Sequence, residues 1–159
     1  MLKSPEILPA RLKEKDQSSL CIYTKHMAVS KKGKVRNATK VDKYGIHFRS
    51  KLELYTYEAF MNAGIPVLYE PKHFTLLEKF EYNGEKIRPI TYLPDFMGKY
   101  NGMRFIVECK GLMGDSFPLR YKLFKHYLKR HRSNAKLYLV RNHKQVDEMI
   151  EDILNAKQS

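Results

Sequence analysis

Apolar residues recur along this chain at helical spacing in three places and at strand spacing between them. Leu52, Tyr55, Thr56, Ala59, Phe60 and Ala63 repeat every three or four positions, which predicts one helix with a buried stripe. Ser50-Lys51-Leu52-Glu53 in front of it has the form of a capping box, and Gly64 with Pro66 supplies the stop. Ile65 to Glu70 then reads as a strand. Phe74 to Tyr82 and Lys86 to Tyr92 flank Asn83-Gly84, the residue pair that best fits a two-residue hairpin turn.

A second Asn-Gly, Asn101-Gly102, stands between Asp95-Phe96-Met97 and a strongly apolar run, Phe105-Ile106-Val107. The lack of alternation in that run predicts a central strand buried on both faces. Further on, Ser116-Phe117-Pro118 reads as a cap with proline in the first turn. The helix it opens should reach about His131 and bury Leu119, Leu123, Phe124, Tyr127 and Leu128. Lys136-Leu137-Tyr138-Leu139-Val140 is a short strand, expected to run parallel to the Phe105 strand through a right-handed crossover. Asn142-x-x-Gln145 caps a last helix with Val146, Met149, Ile150, Ile153 and Leu154 on one face. The order predicts an α/β fold, a central mixed β-sheet with hairpins flanked by helices.

The second Asn-Gly turn carries the chemistry. It sets Tyr100 opposite Met103 and, counting outward, Asp95 opposite Glu108. Opposed residues of an antiparallel pair share a face with Cβ atoms about 4.5–5.5 Å apart, where like charges repel. At an effective dielectric near 20 that repulsion is roughly 3 kcal/mol. Lys110, two positions after Glu108, lies on the same face, whereas Cys109 points into the opposite layer with Val107 and Phe105. Two acids beside an ammonium can bind magnesium and orient a water against a phosphate. An ordinary solvated strand face with a cross-strand acid and lysine is the bland alternative.

Length and charge narrow the class. The chain has 159 residues with 43% hydrophobic content, enough for one substantial core. Its formal net charge of +13 favours an anionic partner, nucleic acid above all. The excess is concentrated at the start. Residues 1–49 hold 12 of the 30 Lys and Arg but only 4 of the 17 Asp and Glu. We therefore divide the chain into a basic arm over residues 1–43 and a folded domain over residues 44–159. Lys31, Lys32, Lys34, Arg36 and Lys40 of the arm, with Arg49 beyond it, are candidate phosphate contacts. Arg120 and Lys122, in the first turns of the Phe117 helix, are two more; its N-terminus could also receive a phosphate near Gly111. The N-terminus lacks the apolar region of a signal peptide and no run of 18 apolar residues exists, so a cytoplasmic protein without a membrane partner is expected. Cys21 and Cys109 form no disulfide framework or zinc spacing.

Three strings together resemble a known family. Phe48-Arg49-Ser50-Lys51-Leu52-Glu53 on a first helix, Tyr92-Leu93-Pro94-Asp95-Phe96 at a strand end and Val107-Glu108-Cys109-Lys110-Gly111 on the next strand, followed by a basic helix, resemble the PD-(D/E)XK nucleases. The likeness is greatest to phage-encoded endonuclease-like and junction-resolving proteins, and covers roughly residues 44–140. It implies a restriction-endonuclease-like core in which Asp95 and Glu108 bind the metal, joined by the Cys109 carbonyl, while Glu53 completes the acidic cluster and Lys110 acts on the attacking water. Glu53 has another employment as the third residue of its capping box; Glu58 and Glu70 are its reserves. The resemblance further implies magnesium, or manganese in its place, and DNA as the partner. A homodimer would suit a symmetric junction, and a phage protein would work in the host cytoplasm. The leading expectation is a metal-dependent DNA endonuclease of phage or mobile-element recombination. A catalytically inactive nucleic-acid-binding protein on the same fold is the alternative, and a small-molecule phosphohydrolase, which has no use for a basic arm, is a third.

Overall fold

The computed structural model describes residues 40–112 and 114–156. Its elements are β1 (Val41–Lys43), β2 (Ile46–Phe48), α1 (Lys51–Asn62), β3 (Val67–Tyr69), β4 (Phe74–Leu77), β5 (Phe80–Tyr82), β6 (Glu85–Ile87), β7 (Ile90–Tyr92), β8 (Phe96–Tyr100), β9 (Met103–Cys109), α2 (Phe117–Arg130), β10 (Lys136–Val140) and α3 (His143–Leu154). The class is mixed α/β. The first described strand begins at Val41, three residues before the expected start of the folded domain, and pairs with β2 across Tyr44-Gly45.

The central sheet has the order β10-β9-β8-β3. β8 is antiparallel to both β3 and β9, and β10 is parallel to β9; the β8–β9 hairpin and the parallel β10 are as the pattern of the chain predicts. Asn101 and Gly102 both have positive φ, 45° and 83°, and join β8 to β9 with Tyr100 opposite Met103. This double left-handed turn matches the twist of the strands it connects. Asn83 and Gly84 make the same turn between β5 and β6. The long hairpin expected over residues 74–92 is broken, however: β4 pairs with β7 through a register shift, and the β5–β6 tip is a separate two-stranded ribbon.

Each face of the sheet buries its own apolar layer. Phe105, Val107 and Cys109 of β9 pack with Phe48, Tyr57 and Phe60 and with Val146, Met149 and Ile153 of α3. On the opposite face Ile106 packs with Phe74, Tyr92, Phe117, Tyr121, Phe124 and Leu128. The alternation along β9 thus feeds two cores, and an all-apolar strand follows from that. Gly98 on β8 has no room for a side chain, since a methyl there would lie 2.6 Å from the Pro66 carbonyl oxygen and inside the Phe105 ring.

The helices match the expectation in place but not in every face. Ser50 caps α1 by accepting from the Glu53 N–H at 3.2 Å, and Asn142 caps α3 by accepting from the Gln145 N–H at 3.0 Å. Ser116 has helical backbone angles and makes no side-chain cap, so α2 begins at Phe117 with Pro118 in its first turn. The buried stripe of α2 is Phe117, Tyr121, Phe124 and Leu128, while Leu119 is 62% exposed. That rotation by less than half a turn follows from the aromatic pocket around Phe124, whose ring stacks on Tyr92 at 4.2 Å between centroids. Leu154 likewise stands outside the α3 face at 40% exposure. Among the described residues no helix is long and apolar enough to cross a membrane.

Candidate acidic centre at the strand ends

β8 begins beside the end of β9, and the carboxylates sit at that open end of the hairpin. The pairing Phe96 opposite Val107 continues outward to put Asp95 across from Glu108, although Asp95 itself lies one residue before the strand. The Asp95 side chain takes up the space of a missing ladder bond, with Oδ2 accepting from the Cys109 N–H at 2.7 Å. Its carbonyl accepts from the Glu70 N–H, also at 2.7 Å, which ties the end of β3 to the same spot. Pro94, fully buried, holds the approach. Asp95 is 6% exposed, Glu108 7% and Glu53 5%.

Of the three buried carboxylates in this neighbourhood, Asp95 and Glu108 titrate above the usual range. Burial, then the negative charge of Glu108 and of Glu53, pushes the Asp95 carboxyl well above the usual range, against the opposing pull of the Cys109 N–H and Arg49. Glu108 is pushed up to about 7, chiefly by burial, with Tyr92 and Lys110 acting in the other direction. These are the largest acidic shifts among the described residues, and they arise from desolvation joined to like charge. The Tyr92 hydroxyl lies against Glu108, and its own ionisation is driven upward by burial and that carboxylate. Even so, among the described residues neither Tyr92 Oη nor Glu108 Oε2 completes a well-formed hydrogen bond. A buried carboxylate oxygen with no protein donor is costly unless something else meets it.

Glu53 is in a different position. Its Oε2 accepts from the Arg49 N–H at 2.9 Å and from Tyr69 Oη at 2.7 Å, and its Oε1 accepts from Ser50 Oγ at 2.9 Å. The capping box therefore closes on the Arg49 backbone rather than that of Ser50. A carboxylate offers about four lone-pair directions, so Glu53 has one left. The reserves are also engaged: Glu58 pairs with Lys43 at 2.5 Å, and Glu70 meets the Arg49 guanidinium.

Lys110 follows β9 and continues the ladder through its N–H to the Val140 carbonyl at 2.8 Å. Its ammonium acts on Glu108 and lies 5.1 Å from the centre of the Phe117 ring, a cation over an aromatic face. Cys109 points to the other layer, its thiol 3.4 Å from Thr56 Oγ1 and its ionisation suppressed by burial. The structure thus gathers Asp95, Glu108, Glu53, Cys109 and Lys110 around the strand ends. Arg120 is turned partly away, donating to the Thr91 carbonyl, and Lys122 is exposed on α2. Lys40 is exposed; Lys31, Lys32, Lys34 and Arg36 lie outside the described residues, as does Cys21.

Sequence reading missed three participants. Arg49, expected only to touch phosphate, stands close enough to bias both Asp95 and Glu108. Tyr69 and Tyr92 bring phenols to Glu53 and Glu108. Tyr92 sits within the Pro94-Asp95 string and could have been read as site-lining; nothing local marks Tyr69, which arrives only through β3–β8 pairing.

Among the described residues no group of three or more His, Cys, Asp or Glu side chains is arranged to hold an ion. Two carboxylates remain, one with an unpaired oxygen, and magnesium is commonly held by one or two carboxylates with water completing its shell. That donor set fits a hard divalent cation. The fold and site together define a mixed α/β protein with a buried acidic pair at the ends of its central strands. A family model described as a protein of unknown function (DUF1064) matches residues 32–146, and the chain belongs to that family. No curated protein and no solved structure matches it.

Proposed function

We propose that this protein is a metal-dependent DNA endonuclease with a restriction-endonuclease-like core, serving phage or mobile-element recombination. The observation that carries the reading is the buried pair Asp95 and Glu108, with Glu108 Oε2 completing no well-formed hydrogen bond and the Lys110 ammonium alongside. With both groups ionised such a pair is unfavourable in a folded protein until a proton or a cation offsets it, and repelling carboxylates on a basic chain speak for use.

Asp95 and Glu108 would hold the ion, with the Cys109 carbonyl beside them. A bound magnesium or manganese ion supplies Lewis-acid neutralisation of charge on the phosphate and makes water a better nucleophile. Lys110, a compact point charge, orients the attacking water and stabilises negative charge growing on it. Glu53 adds its charge to the centre and, through three hydrogen bonds, positions Arg49 and Tyr69. Basic side chains, including the arm, Arg120 and Lys122, track the DNA backbone in a cytoplasmic setting, and a homodimer would cut both strands of a symmetric branch.

One observation favours a second reading. Glu53 is nearly saturated by protein donors, which a nucleic-acid-binding protein without catalysis would equally display. Incubating the purified protein with supercoiled plasmid and with branched DNA, in magnesium or in chelator, beside Lys110→Ala, separates them. Metal-dependent nicking lost in the variant supports the endonuclease; binding without cutting by the parent on every substrate supports the binder.

A further inference from the structure

A concave surface of about 610 Å³, open to solvent, lies beyond the acidic centre between the starts of α1 and α3. Lys51, Arg141 and Lys144 line it with His143, and among the described residues no acidic one does. It sits at the carboxyl ends of the parallel strands β9 and β10, because Gly111 follows one and Arg141 the other. In open α/β sheets the crevice at the carboxyl ends of parallel strands is where ligands are received. Its floor is also adjacent in sequence to the centre on both sides, through Lys51 to Glu53 and through Gly111 to Lys110. β8 runs the other way, so Asp95, at its beginning, lies at this same end of the sheet.

The wall is held in place. His143 stacks on Tyr55 with centroids 3.9 Å apart and planes 15° from parallel, and Tyr55 Oη donates to Asp147 at 2.8 Å. Lys144 has Glu148 at 3.8 Å, a loose exposed pair that a phosphate can displace. A small metabolite would call for an enclosed pocket; an open trough rimmed by cations suits a strand lying across it.

We propose that this trough is a second phosphate-tracking surface, carrying the DNA backbone out of the acidic centre on the α1–α3 side of the sheet, opposite α2. The proposal rests on the endonuclease reading for its substrate, yet it is separable, because binding is measured without chemistry.

The test is titration of a fluorescein-labelled duplex and a labelled four-way junction with the full chain in chelator, over a range of salt. Four proteins are compared: the parent, the trough variants Lys51→Ala/Arg141→Ala/Lys144→Ala and Lys51→Ala/Lys144→Ala, and Lys99→Ala/Arg104→Ala, a cross-strand pair near the far end of the β8–β9 hairpin. Each lost phosphate contact lowers the slope of log affinity against log salt by about 0.7–0.9. The triple trough variant should therefore lose about two units of slope and about tenfold or more in affinity at 0.1 M salt, with the far pair close to the parent. Lys51→Ala/Lys144→Ala, which leaves Arg141 in place, guards against a folding defect and should lose more than one unit. An unchanged slope in both trough variants, or equal losses in the far pair, overturns the trough. Absence of DNA binding by the parent overturns it together with the endonuclease. Binding that depends on the trough while magnesium elicits no cutting sustains the trough and removes the endonuclease.

Discussion

The Cys109 backbone N–H donates to Asp95 Oδ2 at 2.7 Å, so the acid just before β8 substitutes for the next rung of the ladder to β9. One carboxylate is thereby both a structural acceptor and half of a repelling pair. The two roles respond differently to substitution. Asp95→Asn keeps an acceptor while discarding the buried charge, and should leave the metal-free protein as stable as the parent or more so at pH 8. Asp95→Ala strands the Cys109 N–H and should cost about 1–3 kcal/mol. Both should reduce DNA cleavage by at least about a hundredfold. Urea melts in chelator beside plasmid nicking check this; equal destabilisation by both substitutions would mean that the charge carries no strain.

Glu108 makes stability depend on pH in an unusual direction for an acid. Its native pKa of about 7 stands above its ordinary value of 4.5, so the native state keeps the extra proton between those limits. Stability without metal should be highest below pH 4.5 as far as this group is concerned, fall as pH rises through 4.5–7 and level off above. The total is on the order of 3 kcal/mol. Glu108→Gln should flatten that portion of the profile, and magnesium should raise the melting temperature of the parent more at pH 8 than at pH 5. Melting curves in chelator and in magnesium across this range are the measurement.

Ser50 and Glu53 separate capping from charge. Ser50→Ala removes the acceptor for the Glu53 N–H and a donor to Glu53 Oε1, and should cost about 1 kcal/mol. Glu53→Gln keeps most of the shape, removes a negative charge from the neighbourhood of Asp95 and should weaken magnesium affinity less than Asp95→Asn does. Calorimetric titration with magnesium orders the three variants. If Glu53→Gln proves the most damaging to metal affinity, Glu53 is a direct ligand.

Gly98 is a packing requirement in the middle of β8. Gly98→Ala drives a methyl into the Phe105 ring and the Pro66 carbonyl and should destabilise by about 1–3 kcal/mol. Cleavage per folded molecule should be retained, because the strain lies mid-strand rather than at the acids. Thermal melts with activity normalised to folded fraction test both halves.

Local chemistry made much of this protein legible in its residues. The Asn101-Gly102 turn set the register that opposes Phe96 to Val107, since only a two-residue turn with positive φ matches strand twist; that register carried Asp95 to Glu108. The caps at Ser50 and Asn142 were equally readable, because a cap acts over three residues. Long-range packing decided the rest. The rotation of α2 that exposes Leu119 answers to Tyr92 and Phe74, which lie dozens of residues away and are invisible to any periodicity within the helix. Tyr69 reached Glu53 only because β3 lies beside β8, and the influence of Arg49 on the acid pair comes from across the fold. Burial, which lifts Asp95 and Glu108 out of the normal carboxylate range, is a sum over both layers of the sheet, and no single stretch of chain contains it.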